Sequence, residues 1–208
     1  MCGRREQFGT AIAAVVLAFA CVLGSAAADV RADEASREYR LKAAFVYRFI
    51  QFTDWPGEAF AAEDAPIVVV VVGDDPFQGS LEQALAGKAV GRRPIQYKHM
   101  PEPPPANPNG GIGGGVDGGG QFDCHVLFIS PTLARQDVAD LLRQVRGTPV
   151  MTASDGPAAF TRSGGVLRLL VEENRVRFEV NLTAVQRQQL KMSAQVLKLA
   201  RVYEEPAP

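Results

Sequence analysis

One α/β domain with a mainly parallel sheet, a C-terminal antiparallel hairpin and helices on both faces is predicted by three features of the sequence. Ile67-Val68-Val69-Val70-Val71-Val72 is an unbroken β-branched run between Pro66 and Gly73. Continuous rather than alternating hydrophobicity belongs to a strand buried on both faces. Strand-like and helix-like segments then alternate, the pattern of a parallel sheet with crossover helices. Near the end, two apolar strands at 166–171 and 176–180 flank Glu172-Glu173-Asn174-Arg175, which reads as a hairpin turn.

Taken in order, residues 36–52 place Leu41, Ala44, Phe45, Phe49 and Phe52 on one helical face. That helix ends before Trp55-Pro56, because proline pushes its predecessor out of the helical region. After the first strand, Phe77, Leu81, Ala84 and Leu85 predict a short helix and 94–98 a second strand. Residues 101–121 are rich in proline and then glycine and have no periodicity, so they read as a loop inserted into the domain. A third strand at 125–129 leads to a helix carrying Leu133, Val138, Leu141, Leu142 and Val145, which Gly147 ends. Val150 and Met151 make a short fourth strand, and 155–160 a helical turn. After the hairpin, Asn181 is placed to cap a long C-terminal helix.

The 208 residues suffice for one domain, and 47% hydrophobic against 22% charged residues allow a sizeable core, which excludes wholesale disorder. A net charge of -1 offers no global field for nucleic acid or anionic lipid, and no nucleic-acid partner is expected. Arg4 and Arg5, an apolar stretch from Phe8 to Leu23 and Ser25-Ala26-Ala27-Ala28 have the order of a signal peptide, expected at 1–28. An uncleaved anchor is the alternative, but the stretch is shorter than the ~20 residues of a span. Cleavage leaves Cys124 alone in a chain expected outside the cytoplasm, in the periplasm if the organism is a Gram-negative bacterium, with no insertion in the membrane and no intrachain disulfide.

No motif points to catalysis. Gly113-x-Gly115-x-x-Gly118 precedes a strand, whereas a dinucleotide fingerprint lies between strand and helix. Asp74 and Asp75 would repel a phosphate from the turn after the first strand. Cys124 and His125 are neighbours in an extended segment and point to opposite faces, so they do not share a metal ion. No Gly-x-Ser-x-Gly elbow occurs. The expected protein is therefore not an enzyme and carries no cofactor. The C-terminal segment has two apolar stripes, Val185, Met192, Val196, Leu199 and Tyr203 on one side and Leu190, Ala194 and Leu197 on the other. A helix apolar on two sides is either covered twice or presents one side to a partner.

Lys42-Ala43-Ala44-Phe45-Val46-Tyr47-Arg48-Phe49 with Phe52-Thr53-Asp54-Trp55-Pro56 resembles the opening of the YfiR/HmsC family. Val72-Gly73-Asp74-Asp75-Pro76-Phe77, Gly164-Gly165-Val166, the stretch from Arg175 to Leu182, Leu190-Lys191-Met192-Ser193 and Leu197-Lys198-Leu199-Ala200 continue the resemblance to the end, giving a domain at 36–204. The resemblance implies a non-enzymatic periplasmic regulator of cyclic di-GMP and biofilm formation. Its implied partner is the periplasmic part of an inner-membrane GGDEF diguanylate cyclase, with release through an outer-membrane, peptidoglycan-associated lipoprotein. A small-ligand sensor for another membrane receptor, such as a histidine kinase, is the alternative. The paired cysteines that support redox control in some members are missing here.

Phe45, Phe49, Trp55, Pro56 and Asn181 are expected to serve the fold. Arg168, Glu172, Glu173 and Arg175 of the hairpin, with Leu190 and Leu197, are expected to touch the partner or a second copy in a homodimer.

Overall fold

The computed structural model describes residues 33–104 and 124–205 apart from Asn174. The expected signal peptide and nearly all of the Pro/Gly-rich loop lie outside the described residues. The chain divides into a first unit, residues 1–38, of which 33–38 are helical, and a second, residues 39–208, which carries the sheet. Helix α1 spans 33–51.

The second unit is built on an eight-stranded sheet of order β10-β8-β7-β6-β5-β2-β4-β3. Its centre is five parallel strands: β4 (Arg93–Met100), β2 (Ile67–Val72), β5 (Val126–Ile129), β6 (Met151–Ser154) and β7 (Leu167–Glu172). In chain order these run 2-1-3-4-5, a doubly wound arrangement. The antiparallel pairs are β3 (Ala89–Val90) on β4, and β7 on β8 (Arg175–Asn181), the predicted hairpin. All six residues of β2 are buried. Its alternate side chains feed two separate cores, as an unbroken apolar run requires.

One core joins Val69, Val71, Phe128 and Leu169 to α1, α2 (Ser80–Leu85) and α5 (Leu182–Arg187). The other joins Val68, Val70, Leu127 and Ile129 to α3 (Arg135–Gln144) and to Phe160 of α4 (Ala159–Arg162). Helices therefore cover both faces.

Phe45 and Phe49 of α1 pack on Phe178 of β8, with ring centroids 6.1 and 4.8 Å apart. The exit from α1 is held by β1 (Thr53–Asp54), and Pro56 precedes a 3-10 turn, Gly57–Ala59. Asn181 is fully buried and accepts from the Ala184 amide at 3.0 Å, capping α5, while its Nδ2 donates to Thr161 O at 2.8 Å.

The long C-terminal helix does not form. Helix α5 stops at Arg187; Gln189 takes φ +56°, and the Leu190 amide bonds back to Val185 O at 3.0 Å. Then β9 (Lys191–Met192) pairs antiparallel with β1. Ser193 caps the short α6 (Ala194–Leu197), and β10 (Arg201–Tyr203) joins the sheet parallel to β8. The break resolves the double stripe: Val185, Leu190 and Val196 all enter one core, which a straight helix with apolar residues on opposite sides could not achieve.

Candidate functional site

The hairpin carries two faces set by its register. Leu167, Leu169, Phe178 and Val180 enter the core beneath α1. Across the strands Arg168 faces Glu179, Leu170 faces Arg177 and Glu172 faces Arg175, so these side chains share the opposite face. Of them, Arg175 and Arg177 are exposed. Edge strand β10 extends this face: Arg201 pairs in register with Glu179, and its two Nη atoms donate to the two carboxylate oxygens of Glu172, both at 3.1 Å. Glu173 occupies the turn with φ +51° and is exposed.

Two of the residues expected at a partner surface are placed elsewhere. Arg168 is turned inward: its Nε donates to Gly156 O at 2.9 Å, Nη1 lies 4.0 Å from Glu179, and its side chain is 17% exposed. Thr161 of α4 also donates to Glu179, so this end of the face is covered. Leu190 is 4% exposed within the core, because the break after α5 turns it inward. Leu197 is half-buried and packs against the same core. The candidate surface is therefore polar: Glu172, Glu173 and Arg175, joined by Arg177 and Arg201. The two-residue period of Arg175, Arg177 and Glu179 could have exposed Arg177; no local pattern places Arg201.

Trp55 and Pro56 belong to a different assembly. Trp55 Nε1 donates to the carbonyl of His125 at 3.3 Å. The His125 ring stacks on Phe60 with centroids 4.4 Å apart, and Arg93 lies 3.5 Å over the Phe60 ring. His125 Nδ1 accepts from the Val68 amide at 3.1 Å, so Nε2 carries the proton and donates to Ala59 O, also at 3.1 Å. This buried imidazole links strands β2 and β5 to the turn after α1. Cys124 is buried in the other core.

At the carboxyl end of the sheet, Asp75 accepts from the Phe77 and Gly79 amides at 2.9 and 3.2 Å and from the Tyr97 hydroxyl at 3.2 Å. Burial, then the adjacent Asp75 carboxylate, push the Tyr97 phenol well above its ordinary range. Gly73, at φ +91°, lies so close to Ser130 and Leu133 that an added Cβ would stand 2.8 and 2.9 Å from their side chains. The opening between β2 and β5, where doubly wound sheets hold ligands, is thus packed by protein at this point. Among the described residues no group of three His, Cys, Asp or Glu could hold a metal ion, and no helix is long and apolar enough to cross a membrane.

A search of curated proteins finds no match to this chain. Against protein-family models, residues 39–201 match the YfiR/HmsC-like description, a span that runs from the Tyr39 turn of α1 to the first residue of β10. With most of α1, the Trp55-Pro56 turn and the closing hairpin inside that span, the chain belongs to the YfiR/HmsC-like family of periplasmic regulators of cyclic di-GMP signalling.

Proposed function

We propose that this protein is a non-enzymatic periplasmic regulator that binds the periplasmic part of an inner-membrane GGDEF diguanylate cyclase and restrains it, lowering cyclic di-GMP and biofilm formation. Family membership supports the regulatory role. The observation that carries a binding role is the charged outer face of the β7–β8–β10 edge, where Glu172, Arg175, Arg177 and Arg201 lie in register on a rigid sheet. A face of this kind selects a partner of complementary charge and sets the rate of encounter. In this reading the chain reaches the periplasm through a signal peptide cut after Ala28, and an outer-membrane, peptidoglycan-associated lipoprotein relieves the restraint by capturing it.

The test is intracellular cyclic di-GMP in a strain lacking the gene, complemented by the full chain or by one missing residues 2–28. A rise on deletion, reversed only by the exported form, is the expected result. No change on deletion would remove the cyclase from the proposal.

A further inference from the structure

A cavity of about 220 Å³ opens between α3, the loop after α4 and α5. Three guanidinium-bearing residues line it, Arg143, Arg146 and Arg187. Arg187 reaches it past Gly164, where an added Cβ would stand 3.5 Å from Nη1 and where φ is +99°. Leu142 supplies an apolar wall. Gln188 also lines the cavity; it is 2% exposed, and its buried Oε1 has no hydrogen-bond partner among the described residues. A buried carbonyl without a donor is costly and calls for a group to fill it.

The cations are only partly neutralised by the protein. Arg143 pairs with Asp140, and Arg187 with Glu205 from the segment after β10. Glu205 is further held by Asn181 Nδ2 at 3.0 Å and lies within the field of Arg146. The Arg146 guanidinium is exposed and makes no hydrogen bond or ion pair among the described residues. One flexible cation therefore remains available, and the carboxylate on Arg187 is borrowed from the chain end.

We propose that this cavity binds a small phosphomonoester bearing a hydroxyl beside its phosphate, and that Glu205 stands in for part of that anion in the free protein. A dianion with three terminal oxygens matches converging guanidinium groups, which bind phosphate in forked, charge-assisted pairs. The hydroxyl donates to Gln188 Oε1, and the carbon chain lies on Leu142. The volume falls below the ~300 Å³ at which drug-sized sites begin, which limits the ligand to a few carbons. Free esters and lipid headgroups share this chemistry. The inference does not depend on the identity of the membrane partner.

The experiment is calorimetric titration of the full chain, purified after export, with glycerol 3-phosphate at constant ionic strength. Inorganic phosphate and vesicles with and without phosphatidic acid serve as parallel probes. Binding of the ester, weaker binding of inorganic phosphate, and loss of about tenfold or more in Arg146→Ala are expected. Glu205→Gln frees Arg187 and tightens binding several-fold. Binding only to vesicles that contain phosphatidic acid, with the same dependence on Arg146, assigns the headgroup as the source. No binding by wild type or Glu205→Gln to any probe overturns the proposal. So does binding that Arg146→Ala and Arg143→Ala leave unchanged; both residues are exposed, so these variants fold.

Discussion

Lys42 Nζ and Asp155 Oδ2 lie 2.7 Å apart with side chains 5% and 2% exposed, joining α1 to the loop that follows β6 across 113 residues of sequence. Lys42 also sits 4.4 Å over the Tyr39 ring, while Asp155 Oδ1 is buried without a hydrogen-bond partner among the described residues. Such a pair is poor at adding net stability and severe when halved, because the survivor is a buried charge that has lost this counter-charge. Lys42→Ala or Asp155→Ala alone should cost about 3–5 kcal/mol in urea unfolding, whereas Lys42→Met with Asp155→Leu should return close to wild type. Single variants within about 1 kcal/mol of wild type would show that the pair does not hold α1 to the sheet.

The aromatic contact beneath that helix is structural. Phe49 is 2% exposed and its ring meets Phe178 edge-on, so Phe49→Ala leaves a cavity and should cost about 3–5 kcal/mol. Leu190→Asp places a carboxylate in the same core and should prevent folding at 37 °C. Circular dichroism melts settle both. A folded Leu190→Asp protein would contradict the observed break after α5.

The difference between these two positions marks what the sequence makes legible. Phe45 and Phe49 follow a clean helical period and Val68 to Val72 form an unbroken run, so α1, β2 and the two-faced sheet can be read directly. Leu190 cannot be placed by period, because a stop at Gln189 with φ +56° has no glycine to announce it. Strands of two or three residues, such as β1, β3, β9 and β10, are too short to show alternation. The site suffers most from this. Arg201 reaches Glu172 only because β10 exists, and Arg168 turns inward because α4 covers its end of the hairpin. Lys42 with Asp155, and Arg187 with Glu205, are contacts between distant segments that no local pattern encodes.

His125 illustrates the same point from the core. Both ring nitrogens are committed, to the Val68 amide and to Ala59 O, and Phe60 covers one ring face. His125→Leu keeps an apolar body but orphans a buried donor and acceptor, which should cost at least about 1–3 kcal/mol. Hydrogen exchange should speed up at the Val68 amide first. Unchanged protection there would mean that the imidazole is not its partner.

The chain end should respond to acid. The Arg187 hydrogen bond, opposed by partial burial and aided by Asn181 and Arg146, holds the Glu205 carboxyl below the ordinary glutamate range. A depressed folded-state pKa contributes stability that is complete above the unfolded value of about 4.3 and is lost as pH falls through the folded one. The difference in Tm between wild type and Glu205→Gln should therefore be constant at neutral pH and close below about pH 4. A difference that persists at pH 2 would mean that the carboxylate's charge is not what anchors the end of the chain.

The outer hairpin face separates recognition from folding, since its arginines are exposed while the strands that carry them are fixed by the core. Arg175→Glu with Arg177→Glu removes no buried contact, so unfolding free energy should move by no more than about 0.5 kcal/mol per site. Glu172→Ala breaks the paired contact with Arg201, which is solvent-exposed and worth about 0–1 kcal/mol. If this face meets the membrane partner, the double reversal should raise cyclic di-GMP to the level of the deletion strain while the protein stays folded and abundant in the periplasm. The loss should lie mainly in the association rate and shrink as salt rises, because exposed charges steer encounters over roughly a Debye length of 8–10 Å. Full repression by the reversed hairpin would move the binding surface off this edge of the sheet. Loss of repression together with loss of the protein would instead mean that the arginines hold the edge strands in place.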